Sequence, residues 1–130
     1  MSEILISINP EFVDKIIKGE KRFEFRTRVA KKSVKKIIIY CTFPTMKVLA
    51  EAEIKDVLAL SPEELWARTS PYAGISKERF FKYFSGHKIA YAYELGKVTS
   101  YATGKSLSEF GCKSAPQSFV YVRSVRFNRS

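Results

Sequence analysis

The chain has 130 residues, of which 45% are apolar and 14% aromatic, which suits one compact domain over residues 1–130 with its own core. Its 23 lysines and arginines against 13 acids give a formal net charge of +10, and such an excess favours a polyanionic partner, either nucleic acid or an anionic membrane. The longest apolar runs span only a few residues, and no basic segment followed by an apolar one opens the chain. We therefore expect a cytoplasmic protein without a membrane span.

Metal chemistry has little support in the sequence. Cys41 and Cys112 are far apart and lack the close pairing of a zinc site, so two reduced thiols are expected. His87 is the only histidine, which excludes His-rich zinc sites and leaves one candidate for any Ser-His-Asp triad. We expect no cofactor and no metal.

The first predicted elements are a strand over Ile4–Ile8 and a helix over Pro10–Lys18. Asn9 is a good helix cap, proline is favoured at the first helical position, and Gly19 suits the left-handed residue after the helix. From Lys21 to Arg28 the pattern changes to period two, which predicts a strand. One face of that strand carries Phe23 and Phe25 and is expected to face the core. The other face carries Arg22, Glu24, Arg26 and Arg28.

Two further strands are predicted over 34–42 and 47–58, the first of them apolar enough to be buried on both faces. A capping box with proline at its second position opens a helix at Ser61. Ser76 can cap another helix, which carries several aromatic residues and stops at Gly86.

The last third of the chain predicts a strand over 89–95, a loop over 96–115 with a possible helical turn near 106–110, and a final strand over 118–127. The whole pattern indicates an α+β fold, a small mixed β-barrel of about six strands with about three helices at its side and mouth.

Positive charge is concentrated in one segment. Between Lys21 and Lys36, eight cations face Glu24 alone, and aromatic residues alternate with them, as in surfaces that bind nucleic acid. A membrane-binding helix would need a basic polar face, but Pro10–Lys18 carries two lysines balanced by two acids. RNA is therefore the expected partner, and a membrane is not. The eight cations are Lys21, Arg22, Arg26, Arg28, Lys31, Lys32, Lys35 and Lys36.

Gly19, Lys21, Glu24 and Arg26 form the pattern G-x-K-x-x-E-x-R. This pattern resembles the signature of the ASCH domain, and Pro116-Gln117-Ser118 looks like an element of its bacterial and phage members. The resemblance covers nearly the whole chain and implies a small single-domain protein with a PUA-like barrel. It also implies a cleft beside the first helix, lined by the Lys, Glu and Arg of the motif. ASCH domains are associated with RNA binding, RNA processing and transcription coactivation.

The residue types of the motif agree with such a site. Glu24 and Arg26 share one face of a strand, where they can pair or bind a base edge and a phosphate; the alternative is an ordinary solvated strand face with one ion pair. We expect Lys21, Glu24 and Arg26 to hold single-stranded RNA or a nucleotide. The flanking basic surface would contact phosphates through Arg28, Lys31, Lys32, Lys35 and Lys36.

Whether the chain is an enzyme stays open, and a hydrolase would use Lys21 and Glu24 as catalytic residues. The resemblance extends to amidohydrolases acting on acetylcytidine, but Glu24 stands where they have threonine, and 69–74 has no acid where they have a catalytic glutamate. A ribonuclease is the better enzymatic alternative, with a lysine of lowered pKa as the base or a metal held by Glu24, Glu51 or Glu53.

A protein-interaction or transcription-regulatory module is the third hypothesis. It would bind an acidic partner through the basic face, and an exposed aromatic patch near Phe80, Phe81 and Phe84 would distinguish it.

Overall fold

The computed structural model describes residues 2–30 and 33–122. Its helices are α1 (Pro10–Ile17), α2 (Pro62–Thr69) and α3 (Lys77–Tyr83). Short 3-10 helices span Ser70–Tyr72 and Leu107–Phe110. The strands are β1 (Ser2–Ile8), β2 (Phe23–Arg26), β3 (Val34–Cys41), β4 (Lys47–Leu60), β5 (Ala90–Lys105) and β6 (Phe119–Val122).

The six strands form one mixed sheet in the order β2-β5-β4-β3-β1-β6. β1 is parallel to β3, and all other neighbours are antiparallel. The expected α+β class is confirmed, with six strands and three α-helices in the part of the chain that the structure describes. Within the described residues the edge strands β2 and β6 do not pair, so the sheet is open rather than a closed barrel. None of the described helices is long and apolar enough to cross a membrane.

Helix α1 covers one face of the sheet, as its sequence pattern predicts. Pro10 occupies the first helical position, and Val13 and Ile16 are buried against the sheet. Gly19, at φ +81°, directs the chain from this helix towards β2. Because α1 begins directly after β1 and ends just before β2, it forms one wall of the space beside these two strands.

The centre of the sheet is buried on both faces. Under α1 lie Ile4, Ile6 and Ile37, together with Tyr93 of β5. On the other face, a second cluster contains Leu5, Ile38, Tyr40, Val48, Phe110 and Val122. The uninterrupted apolar runs of β1 and β3 follow from this double burial.

Helix α2 packs on β4 and β5, and α3 packs on β2. The ring of Phe25 meets that of Phe80 edge-on at 5.0 Å, and Phe80 meets Phe84 at 4.9 Å. Phe80 and Phe84 are fully buried and Phe81 is half-buried, whereas Tyr83 is 44% exposed. The α3 aromatics are therefore mainly core, and the exposed patch that would favour a protein-interaction module is not found there.

The predicted loop over 96–115 is wrong in its first half, because β5 continues to Lys105. Residues such as Val98 and Thr99 pair with β4. Gly96, where the predicted loop begins, is instead a point of close approach, since a Cβ there would lie 3.0 Å from Cγ of Lys55. The helical turn at Leu107–Phe110 is confirmed. The final strand is present as β6, and residues 123–127 of the prediction lie outside the described residues.

Candidate functional site

A cleft of about 480 Å³ opens between α1, α3 and the strands β1 and β2. Its polar lining comes from the end of β1, from the turn and strand after α1, and from α3. Phe12 of α1 and Phe25 of β2 add aromatic surface. The polar and charged lining residues are Ser7, Asn9, Lys21, Glu24, Arg26, Arg79, Lys82 and Tyr83.

Glu24 and Arg26 form a partly buried ion pair in this cleft. The Arg26 guanidinium donates to Glu24 Oε2 from Nε at 3.0 Å and from Nη2 at 2.8 Å. Nη2 also donates to the carbonyl oxygen of Ser7 at 2.9 Å, which ties β2 to the end of β1. Glu24 is only 6% exposed, and among the described residues none donates to its Oε1. The charged face of β2 thus lines the cleft rather than bulk solvent.

Lys21 is the most deeply buried cation of the cleft, at 3% exposure. Its Nζ donates to the carbonyl oxygen of Ala73 at 2.7 Å and lies 5.0 Å and 4.7 Å from the ring centres of Phe12 and Phe25. Burial lowers the pKa of Lys21 to about 8; Glu24 opposes this shift, while nearby cations such as Arg26 add to it. The amine is therefore available in its neutral form near neutral pH.

The segment between α2 and α3 encloses Lys21. The backbone N–H of Arg22 donates to the carbonyl oxygen of Tyr72 at 2.8 Å, and Lys15 Nζ donates to that of Gly74 at 3.3 Å. Gly74 has φ +68°, and a Cβ there would lie 2.5 Å from Cβ of Lys21. Glycine therefore permits both the turn and its contact with the lysine side chain.

The remaining sequence-predicted cations do not gather in this cleft. Arg28 is exposed in the bend after β2, and Lys35 borders a separate groove. Lys36 Nζ donates to Glu51 Oε2 at 2.7 Å. Lys31 and Lys32 lie outside the described residues. The structure therefore brings Lys21, Glu24 and Arg26 together, whereas Arg28, Lys35 and Lys36 are distributed over other surfaces.

Sequence reasoning missed the contribution of α3. Arg79 and Lys82 are exposed beside Tyr83 at the cleft. Arg79 Nη1 donates to both carboxylate oxygens of Glu11, at 3.0 and 3.3 Å, and this bond lowers the pKa of Glu11. The spacing of Arg79, Lys82 and Tyr83 predicts a shared helix face. It does not indicate which strand that face lies beside.

The carboxylates considered for a metal site do not converge. Glu24 lines the cleft, Glu51 accepts hydrogen bonds from Lys36 and Tyr101, and Glu53 is exposed on β4. Across residues 2–30 and 33–122, no cluster of three or more His, Cys, Asp or Glu side chains could hold a metal ion. Cys41 and Cys112 are free thiols, buried and half-buried respectively.

The mixed sheet, with its cleft beside the first helix, defines a PUA-like α+β domain. The sequence model of the ASCH domain matches residues 6–125. The chain therefore belongs to the ASCH domain family, as its G-x-K-x-x-E-x-R motif predicts.

Similar proteins include the crystal structure of ASCH from Zymomonas mobilis, with a TM-score of 0.88, 27% identity, and coverage of 98% of this chain and 92% of that one. An ASCH domain-containing ribonuclease of the same species is 33% identical over 94 residues, 72% of this chain and 64% of the relative. A Ureaplasma parvum protein named ATP synthase subunit alpha is 28% identical over 121 residues, which is 92% of this chain. This chain spans only 15% of that relative's length.

Gly74→Ala should destabilise the protein by about 2–5 kcal/mol, because an alanine at positive φ is strained and its Cβ would collide with Lys21. Gly86→Ala is the matched control, since Gly86 has φ +83° with nothing within 4 Å of the added Cβ; it should cost only about 1–2 kcal/mol. Urea unfolding measures both. Equal losses in the free energy of unfolding would show that the close approach of Lys21 does not restrict the side chain at position 74.

Lys21 should make stability increase with pH between about 8 and 10.5, because its folded pKa of about 8 lies below the ordinary lysine pKa of 10.5 that it has in the unfolded chain. In that window the unfolded chain binds more protons than the folded one, so raising the pH favours folding. Relative to Lys21→Met, the wild type should gain roughly 2–3 kcal/mol between pH 7 and pH 10. Urea unfolding at both pH values measures the difference; parallel pH profiles would show that Lys21 titrates normally.

Proposed function

We propose that this protein binds single-stranded RNA and takes one unpaired nucleotide into the cleft between α1, α3 and β2. The observation that carries this proposal is the charge of the lining. Among the described residues that line the cleft there are four cations, Lys21, Arg26, Arg79 and Lys82, and one acid, Glu24. A concave site with this balance favours a phosphate-bearing ligand.

The size and lining of the cleft suit a nucleotide. Its volume of about 480 Å³ lies within the range of small-ligand sites. Phe12 and Tyr83 offer ring surface to a base, and Glu24 Oε1 can accept a hydrogen bond from a base edge. A base must leave a helical stack to enter such a site, which favours single-stranded over duplex RNA.

The exposed cations Arg28 and Lys35 lie outside the cleft, and in this proposal they contact the phosphates that flank the bound nucleotide. Lys31 and Lys32 belong to the same sequence segment, and for that reason we include them among the residues proposed to contact phosphates. Lys36 is the weakest candidate, because it does not line the cleft and its half-buried ammonium is paired with Glu51. The name of the Zymomonas ribonuclease supports RNA as the class of ligand.

Replacing both Arg79 and Lys82 by alanine should weaken binding of a labelled single-stranded RNA and make its affinity less dependent on salt. Each lost phosphate contact should reduce the slope of log affinity against log salt by about 0.7. Fluorescence anisotropy at several salt concentrations measures both quantities. Neither side chain is buried, so the fold should be retained.

The matched control is Lys88→Ala with Lys97→Ala, which removes the same charge from two exposed positions that do not line the cleft. If both double variants reduced the salt slope equally, binding would depend on net charge rather than on the cleft, and the proposal would be wrong.

RNA cleavage is a second candidate, favoured by the lowered pKa of Lys21. The neutral amine can take the proton of a ribose 2′-hydroxyl, whose oxygen then attacks the adjacent phosphorus. The 5′-oxygen leaves and takes a proton from the lysine ammonium, giving a cyclic phosphate and a 5′-hydroxyl. Arg26 and Arg79 line the cleft and would stabilise charge on the phosphate.

An acetylcytidine-type amidohydrolase fits less well, because residues 69–74 supply no acid and Glu24 is paired with Arg26.

If Lys21 is this base, cleavage should persist in EDTA and increase about tenfold per pH unit up to about pH 8, then level off. Lys21→Met should abolish it. Denaturing gels of single-stranded RNA measure the rates, with a 2′-deoxy substrate as the control for the attacking hydroxyl. Cleavage that survives in Lys21→Met would exclude this mechanism.

A further inference from the structure

The turn between β3 and β4, residues 42–46, carries an unusually exposed aromatic ring. Phe43 is 79% exposed, more than any other large apolar side chain in the part of the chain that the structure describes, and Met46 follows at 56%. Single exposed apolar residues are common on protein surfaces. The turn that carries this ring, however, is hydrogen-bonded to a residue that lines the cleft.

The turn is fixed against the rim of the cleft. The backbone N–H of Thr42 donates to the carbonyl oxygen of Ile8 at 3.1 Å, and Thr42 Oγ1 lies 3.5 Å from Asn9 Oδ1. Ile8 and Asn9 both line the cleft. The N–H groups of Thr45 and Met46 donate to the carbonyl oxygen of Thr42 and close the turn. The backbone of Phe43 is therefore held within about two residue lengths, roughly 8 Å, of the cleft rim.

We propose that Phe43 stacks on the base of a nucleotide adjacent to the one in the cleft. This inference rests on the proposed RNA binding and extends it from one nucleotide to two. Every base has a flat π-face, so an exposed ring beside a cation-lined cleft binds a flanking base without sequence preference. The exposed Lys47 lies just beyond the same turn. Its ammonium can contact the phosphate between the two bases, and a cation at this position favours RNA over an apolar protein surface as the partner of Phe43.

The test compares Phe43→Ala, Phe43→Trp and wild type for binding of a mixed-sequence RNA octamer and of a single nucleoside monophosphate. Phe43→Ala should weaken octamer binding about five- to tenfold and leave monophosphate binding unchanged. Phe43→Trp should retain octamer binding, because its larger ring also stacks. Tyr121→Ala is the control, since Tyr121 is 45% exposed on β6 and does not line the cleft. Thermal melting verifies the fold of each variant.

Unchanged octamer binding by Phe43→Ala would overturn this inference while leaving the proposed function intact. Equal losses for octamer and monophosphate would also overturn it, because the ring would then serve the cleft itself. If the wild type bound neither ligand, both the proposed function and this inference would fail. A wild-type dimer that becomes a monomer in Phe43→Ala, with RNA binding unchanged, would assign the ring to contact with a second copy.

Discussion

The burial of the Lys21 ammonium is the constraint on which the rest of the site depends. Removing this charge from water is costly, and the cost is offset by a 2.7 Å hydrogen bond to the carbonyl oxygen of Ala73 and by the faces of two aromatic rings. The same bond joins the turn after α1 to the segment between α2 and α3. Gly74 must lack a side chain for that segment to approach so closely. One lysine thus holds two walls of the cleft together.

The position of Lys21 also determines what the cleft can do. With Glu24 largely neutralised by Arg26, the lining remains positive overall, and a phosphate-bearing ligand can enter without meeting an unpaired buried acid. Burial lowers the pKa of Lys21 to about 8, so that a minor fraction of the amine is neutral near pH 7 and can take a proton. The proposed RNA binding and the alternative of RNA cleavage would therefore use the same arrangement, and they differ in whether Lys21 only contacts the nucleotide or also takes its proton.

Local sequence patterns predicted most elements, because each carries a local physical signal such as the Pro10 start of α1 or the period-two pattern around Glu24. They also predicted that Glu24 and Arg26 share a face. The extension of β5 past Gly96 was missed, since it depends on pairing with β4, a contact distant in sequence. The place of α3 in the cleft was missed for the same reason: periodicity defines a helix face, but only tertiary packing determines where it points. Counting charges likewise could not show that Lys36 is paired with Glu51.

A crystal structure of the protein with a short single-stranded RNA would show directly whether the cleft is the binding site. We expect one nucleotide inside the cleft, with its phosphate near Arg79 and Lys82 and its ribose or base within hydrogen-bond distance of Lys21 or Glu24. RNA bound along the surface of Arg28 and Lys35, with the cleft empty, would show that the cleft does not bind RNA and that Lys21 has a purely structural role.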